Sequence, residues 1–494
     1  MKTAQIAIIL AIAITLTPSI MTQASKGFKA IMISELWRHG ARSAAINTYN
    51  QSYVTKVGPG NLEGNGLRMH YNLGAKIRSL YPYLFDESRN FQHKVFSSDY
   101  ERTIISAQSH LLGLYPPGTG PDVTNQVNST KLPPFKGAAM PPKLKNEALP
   151  DALNLVPVDT MDIKTDLIFL KGMNYVCPGT FQSQTSSFAS KVKSTLPLFS
   201  DISKLISAKY PCEKYYPGCK QYDLNTTGIF SNVNLCYYFY NGKDMDGVDE
   251  TTRLKLDWAY GAYYIYMKNY DDEMTRKLYT TTMAGSVVSI FDKKIAGYKE
   301  NNTDGLRFYG LSGHETNIIP FLLGYNLTSV DCMLDKFMNP APGNQTCHKS
   351  PGFAADLIWE LSIKDGAKNP KDFFVKMMYN GVAYPACAKT FNGTSYCTYQ
   401  NFKNYLNEFF ILAETDLKKA CVGGFKPVPT PGGNGNPGDD HLLNNAFFWI
   451  SIVLIVGIAV LVIMMFTCLQ KARRQNILLA KDLSREFEAS NIEV

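Results

Sequence analysis

ELWRHGARSA, residues 35–44, follows directly on the apolar run Ala30-Ile31-Met32-Ile33. The run predicts a buried strand over residues 28–36, and Arg38, His39, Gly40 and Arg42 gather just past its end. In open α/β sheets, ligands bind beyond the carboxyl ends of the strands. These cations therefore stand where an anion would be received, although one such segment alone could equally be surface charge paired with nearby acids.

Two further stretches repeat the arrangement. In Ser97-Ser98-Asp99-Tyr100-Glu101-Arg102-Thr103 a short strand over 93–96 gives way to a helix over 99–114. Arg102 opens that helix, where the macrodipole disfavours a cation unless an anion sits beside it. In Leu311-Ser312-Gly313-His314-Glu315-Thr316 a strand over 306–311 turns into a helix whose first N–H groups add anion-binding capacity. Together these strand ends offer Arg38, Arg42, Arg102, His39, His314 and Glu315, and that set suits one chemistry. A phosphate ester needs its equatorial oxygens held by cations, a nucleophile in line and an acid for the leaving oxygen. Arginine grips phosphate bidentately, neutral imidazole can attack phosphorus to give a phosphohistidine, and a carboxylic acid can deliver the proton. Nearby arginines push His39 below the usual histidine value of ~6.5, and Glu315 must be protonated to donate. Both requirements point to an acidic optimum.

Helical periods over 66–81 and 277–298 and a strand over 373–378 alternate with the strands already named. Strands alternating with helices predict an α/β fold, a mostly parallel central sheet flanked by helices. Between them, Phe181, Phe188, Val192 and Leu196, then Ile202, Leu205 and Ile206, suggest helices mixed with loops rich in Tyr and Cys. The expected organisation is a discontinuous α/β domain over 25–145 and 276–424, with a mainly helical cap inserted over 146–275.

At 45% apolar and 19% charged residues, the 494-residue chain can bury a large core, and its net charge of +8 is scattered. Nucleic-acid binding is therefore not expected. A basic start, a short apolar run and Thr22-Gln23-Ala24 predict a secretory signal over 1–24. Residues 446–468 carry no charge and, at ~1.5 Å per residue, span roughly 34 Å, which predicts a single C-terminal transmembrane helix. Asp439 and Asp440 precede it and Lys471, Arg473 and Arg474 follow, predicting a membrane-anchored type I protein with a Pro/Gly-rich stalk over 425–445 and a cytoplasmic tail over 469–494. Asn50, Asn128, Asn225, Asn301, Asn326, Asn344 and Asn392 each begin an N-x-S/T sequon on the expected luminal side. Nine cysteines lie there too; disulfides are expected, the number is odd, and Cys332 with Cys347 and Cys387 with Cys397 are candidates for local bridges.

Arg38-His39-Gly40-Ala41-Arg42 resembles the RHGxR motif of the histidine acid phosphatases, and His314-Glu315 resembles their HD dipeptide. Leu62, Gly66, His70, Leu73-Gly74, Arg78 and Tyr81 follow the spacing seen after that motif. Ser98-Asp99-x-x-Arg102-Thr103 with Ser106-Ala107-Gln108 resembles the segment that supplies the third arginine, so the likeness extends over most of residues 30–420. The resemblance implies that His39 is the nucleophile, that Arg38, Arg42, Arg102 and His314 clasp the phosphate, and that Glu315 is the proton donor. It also implies small-molecule phosphate monoesters as substrates, a homodimer, and a fold with a helical domain between the third arginine and the second histidine. The signal, single span and tail look most like the lysosomal and prostatic-type branch, placing the protein in the lysosome, the phagosome or at the cell surface. Two positions depart from the pattern: Ala44 stands where proline is usual, and Glu315 where aspartate is usual.

No metal and no cofactor is expected, because His314-Glu315-Thr316-Asn317-Ile318 lacks the second histidine of a zinc site and no cysteine pair has CxxC spacing. The glycines over 58–66 lack the following Lys-Ser/Thr of a phosphate-binding loop. His70, His93, His110, His348 and His441 read as isolated structural or exposed histidines. The rival readings are a phytase-like inositol-phosphate phosphatase and a catalytically idle surface receptor or adhesion protein on the same fold. The intact set of arginines and histidines argues against the second.

Overall fold

From Ala30 onward every residue of β1 (Phe28–Arg38) is buried, as a strand covered on both faces by helices must be. The structure, a computed structural model, describes residues 27–85, 92–122, 147–367, 372–413 and 415–416. β1 lies inside an eight-stranded sheet with β2 (His93–Ser98), β3 (Val158–Met161), β4 (Phe308–Gly313), β5 (Asp356–Lys364), β6 (Phe374–Tyr379), β7 (Val382–Tyr384) and β8 (Cys397–Thr398). The order is β3-β2-β4-β1-β5-β6-β7, with β8 also paired to β6.

The sheet is mixed rather than mostly parallel, which corrects the expectation. β3, β2, β4 and β1 run parallel, whereas β5 is antiparallel to β1, and β6, β7 and β8 continue antiparallel. For β5 and β6 the reason lies in the connection. A parallel return needs a crossover of about a dozen residues or more, and residues 365–373 are too few. Asn380-Gly381 then turns β6 into β7, with φ of 49° and 78°, the left-handed pair that a two-residue hairpin demands.

One residue of β1 falls out of register: Ala30 pairs with Ser362 and Met32 with Leu361, so Ile31 is a bulge. Ile31 and Met32 consequently face the same core, while Ala30, Ile33 and Trp37 face the other. That second face is covered by α1 (Gly64–Leu80) and α2 (Glu101–Leu114), through Ile77, Ala107 and Leu111.

The cap is built on α3 (Pro178–Thr195), α4 (Leu224–Asn241) and α5 (Glu250–Met267). Asp223, Asp249 and the residue before the next helix, Asp272, each stand three positions ahead of a threonine. Each accepts the backbone N–H of that threonine, at 2.8, 2.7 and 2.8 Å, and so caps a helix start. From Asp272 springs α6 (Glu273–Lys299), which covers the first sheet face with α7 (Glu315–Gly324) and, farther along the chain, Tyr399–Phe409. Met283, Val287, Phe291 and Phe321 there meet Leu36, Leu311 and Trp359. Phe230, Trp258 and Ile265 form a separate cap core that reaches α7 through Ile319. Disulfides join Cys212 to Cys219, Cys332 to Cys347 and Cys387 to Cys397. Cys177 is disulfide-bonded as well, and Cys236 is a free, buried thiol.

The expected transmembrane helix is not supported: among the described residues no helix is long and apolar enough to cross a membrane. The 27-residue α6 has the length but carries Asp292, Lys293 and Lys294. Residues 446–468 lie outside the described residues, as do 1–24, 425–445 and 469–494. The type I topology, the membrane anchor and the lysosomal, phagosomal or cell-surface placement all required that helix and are therefore not supported either. Of the sequon asparagines, Asn128 lies outside the described residues, Asn225 is half-buried in the first turn of α4, and Asn50, Asn301, Asn326, Asn344 and Asn392 are exposed. Asn50, Asn301, Asn326 and Asn392 hold φ of 48–60°, turn conformations that asparagine tolerates.

Candidate active site

The neighbour order β2-β4-β1 assembles the site. In the parallel pairs Arg38 lies level with Gly313 and Ser97 with Ser312, so three strands end side by side. The ladder continues one step, with His39 N donating to Gly313 O at 3.0 Å and Ala354 N donating to His39 O at 3.1 Å. The next residue must be glycine, because a Cβ on Gly40 would run into the backbone of Gly66 at the start of α1. Its N–H donates to Ser106 Oγ at 3.1 Å, tying the turn to α2.

All six expected residues meet here. Arg38, His39, Arg42, His314 and Glu315 are buried, and Arg102 is half-buried. Arg38 Nε lies 2.9 Å from Glu315 Oε2, with its Nη1 donating to Pro351 O at 2.6 Å and the Phe353 ring 4.4 Å from the guanidinium carbon. His39 Nε2 stands 3.9 Å from Glu315 Oε2, and the His39 and His314 rings are 5.4 Å apart. His39 Nδ1 is 2.9 Å from Gly40 O; a carbonyl can only accept, so Nδ1 carries the proton and Nε2 keeps a lone pair. His314 Nε2 pairs with Ser98 Oγ at 2.8 Å. Among the described residues, Arg38 Nη2, Arg42 Nε and Arg102 Nε are buried donors without an acceptor.

Burial, then Arg38, Arg102 and Arg42, holds His39 well below the ordinary histidine range, so it is neutral in mild acid. Burial, Lys171 and His39 do the same to His314. Glu315 differs from expectation. Burial pushes its carboxyl up, but Arg38 foremost, with His39, Lys171 and Arg42, holds it well below the usual range. In the free site Glu315 is a carboxylate ion-paired to Arg38, not a poised acid.

The cap adds residues that no motif announced. Asn232 Oδ1 accepts from Arg42 Nη2 at 3.4 Å, and Arg42 Nη1 reaches Cys236 Sγ at 3.6 Å. Tyr260 receives Asn232 Nδ2 at 2.7 Å and donates to Glu315 Oε1 at 3.4 Å. Each is one side chain on a helix, without local spacing to mark it. His70 and His110 are not isolated either. His70 Nε2 donates to Arg38 O at 3.0 Å, and His110 Nε2 lies 3.2 Å from Glu35 Oε2 beneath the site.

This underlayer gives a pH dependence. Burial pushes Glu35 up to about 8, and burial with Glu35 does the same to Asp356. A carboxyl that keeps its proton when folded stabilises fully below its unfolded value, and the gain is lost as pH rises towards 8. Burial lowers His70 and His110 to about 3, so their contribution is complete above about 6.5 and lost as pH falls. Between about pH 6.5 and 8 the two histidines no longer change their contribution, and Glu35 and Asp356 should each lower the unfolding free energy by about 2 kcal/mol. Urea denaturation should show the change in unfolding free energy across that range shifted by about 2 kcal/mol in Glu35→Gln; an unshifted profile would mean Glu35 titrates normally.

Ligand atoms of His39, His314 and Glu315 lie within 4.8 Å of one another, a spacing that could hold a metal ion. The surrounding arginines and the Arg38–Glu315 pair oppose a second cation there.

The histidine phosphatase superfamily (branch 2) profile matches residues 44–380, more than half of the chain. The chain belongs to that superfamily. It is 35% identical over 98 residues to a lysosomal acid phosphatase of Xenopus laevis, covering 19% of this chain and 22% of that protein. Against the lysosomal acid phosphatase of Homo sapiens it is 34% identical over 89 residues, covering 17% and 21%. The matched segments thus span about a fifth of the length of these relatives. The phytase from D. castellii shares the fold with a TM-score of 0.54 at 14% identity, over 84% of this chain and 86% of that one. A multiple inositol polyphosphate phosphatase of Bifidobacterium longum gives 0.52 at 13%, over 80% and 96%. Family membership and the His39–His314–Glu315 cluster support a hydrolase of the histidine-phosphatase type.

Proposed function

We propose that the protein hydrolyses phosphate monoesters through a phosphohistidine on His39, without a metal. The observation that carries this reading is the trio of acceptor-less guanidinium donors, Arg38 Nη2, Arg42 Nε and Arg102 Nε, gathered with the neutral His39. Buried donors of this kind are costly unless an anion accepts them. With Nδ1 engaged at Gly40 O, His39 Nε2 attacks phosphorus, and the ester P–O bond breaks with its electron pair passing to the leaving oxygen. That oxygen needs a proton. Glu315 is ionised in the free site, so the proton enters with the substrate: a phosphomonoester loses its second proton near pH ~6, and in mild acid it arrives as a monoanion. Its phosphate draws Arg38 from Glu315, whose carboxyl then rises, takes the proton and delivers it to the leaving group. Water next cleaves the P–N bond, its proton passing to Glu315 as phosphate departs and His39 returns neutral. The local identity to lysosomal acid phosphatases supports the same class of reaction.

The chain should release phosphate from p-nitrophenyl phosphate best below neutrality and equally well after chelation of metals. Glu315→Gln should slow alkyl phosphates, whose leaving groups need the proton, by about 10²–10³ and aryl phosphates far less. Equal loss on both would contradict the proton-delivering role, and a loss on chelation would contradict the metal-free reaction.

A further inference from the structure

We propose that two cap residues, Asn232 and Tyr260, are positioning residues for the acid: they bridge Arg42 to Glu315 and fix which oxygen of Glu315 carries the proton to the leaving group. The inference rests on the proton-delivering role of Glu315 given above and adds a second layer to it. On α4, Asn232 and Cys236 stand four positions apart, and on α5 so do Tyr260 and Tyr264; residues at that spacing share one face of a helix. Three of these four touch a residue of the site. Arg42 reaches Asn232 Oδ1 at 3.4 Å and Cys236 Sγ at 3.6 Å, and the Tyr260 hydroxyl lies 3.4 Å from Glu315 Oε1.

The direction of each hydrogen bond along the bridge follows from its first member. A guanidinium can only donate, so the Asn232 amide turns its oxygen to Arg42 and its NH₂ to the Tyr260 oxygen, 2.7 Å away. Tyr260 accepts there, which leaves its own hydrogen to be given onward. Two acceptors stand at 3.4 Å, the Tyr264 hydroxyl and Glu315 Oε1. The carboxylate is ionised in the free site and is the stronger acceptor of the two. Hydrogen bonds of an active site are often long before substrate binds and tighten in its presence.

The two oxygens of Glu315 are therefore unlike. Oε1 accepts from Tyr260, whereas Oε2 faces Arg38 Nε at 2.9 Å and His39 Nε2 at 3.9 Å. Once the substrate phosphate draws Arg38 away, Oε2 is bare and Oε1 is still engaged. The proton settles on Oε2, the oxygen that faces the nucleophile, and Oε1 becomes the carbonyl oxygen of the acid. Without the Tyr260 bond nothing from the cap distinguishes the two oxygens, and a share of the acid holds its proton on the wrong one.

Tyr260→Phe tests this, because it removes one hydroxyl and keeps the ring edge-on to Tyr264, at 4.8 Å between centroids. Its kcat/KM on an alkyl phosphate should fall about 10-fold, and on p-nitrophenyl phosphate less than about threefold, the retained aryl activity showing that the variant folds. In a Glu315→Gln background the same replacement should cost the alkyl ester nothing further, since the hydroxyl acts through that carboxyl. Asn232→Asp tests the direction of the bridge. Its second oxygen would take the Tyr260 hydrogen for itself, so the alkyl-to-aryl ratio of kcat/KM should fall by a similar factor, whatever both esters lose together through Arg42. Equal losses on the two esters in Tyr260→Phe, a further alkyl loss in the Glu315→Gln background, or an unchanged ratio in Asn232→Asp overturns the positioning role. Glu315→Gln alone separates the two ways of failing. If it slows both esters equally, proton delivery by Glu315 falls and this role with it; if it slows the alkyl ester selectively and Tyr260→Phe does not, only this role falls.

Discussion

His39→Ala should abolish phosphate release from aryl and alkyl esters alike, with a loss of about 10⁵ or more, by comparison with removal of a nucleophile elsewhere. The loss should be larger than for any other single replacement because nothing nearby can take over. His314 Nε2 is engaged by Ser98 Oγ at 2.8 Å, and the Cys236 thiol is pushed up by burial and lies against Arg42. Rapid mixing with a radiolabelled ester and a quench in base, where a phosphorus–nitrogen bond survives, should trap label on the wild type and none on the variant. Label on the variant, or residual turnover beyond that factor, would assign the attack to another group. The variant should stay folded, since the buried Glu315 carboxylate keeps its closest partner, Arg38, at 2.9 Å.

Arg38→Ala carries the second large effect, and it should appear in two measurements of different origin. Losing one phosphate donor costs about 10²–10³ in kcat/KM, as does loss of an oxyanion-hole donor. The same change leaves Glu315 as a buried carboxylate without the guanidinium 2.9 Å away, and breaking such a pair costs about 3–5 kcal/mol of stability. Adding Glu315→Gln should therefore recover much of the stability, because the stranded charge is gone, and none of the activity. If the double variant unfolds as readily as Arg38→Ala, the stability loss stems from the missing packing on Phe353 instead.

What was legible in the sequence follows from the range over which each feature is encoded. The ends of β1, β2 and β4 could be read because an apolar run and its cationic cluster are contiguous, as in ELWRHGARSA. Neighbouring α1, α2 and α6 announced themselves by helical period. β5 went unread: DLIWELSIK is buried from Asp356 to Ile363, so it shows no alternation of polar and apolar residues. Asn380-Gly381 did mark a hairpin in the sequence, and weighing it would have predicted antiparallel strands there. The charge state of Glu315 could not be read, because it depends on a 2.9 Å contact between residues 277 positions apart. Lys171, Asn232 and Tyr260 belong to the same class: single positions in the cap that acquire meaning only when the cap closes over α7.

The placing of β4 between β1 and β2 imposes a timetable. Arg38 and Arg102 emerge early in synthesis, but the strand that separates and aligns them ends at Gly313, after the whole cap has been made. Until it is made, β1 and β2 lack the neighbour that sets Arg38 and Arg102 about one site, and His314 and Glu315 are still to come. A chain truncated ahead of that strand would therefore be mute whatever else it had managed to fold.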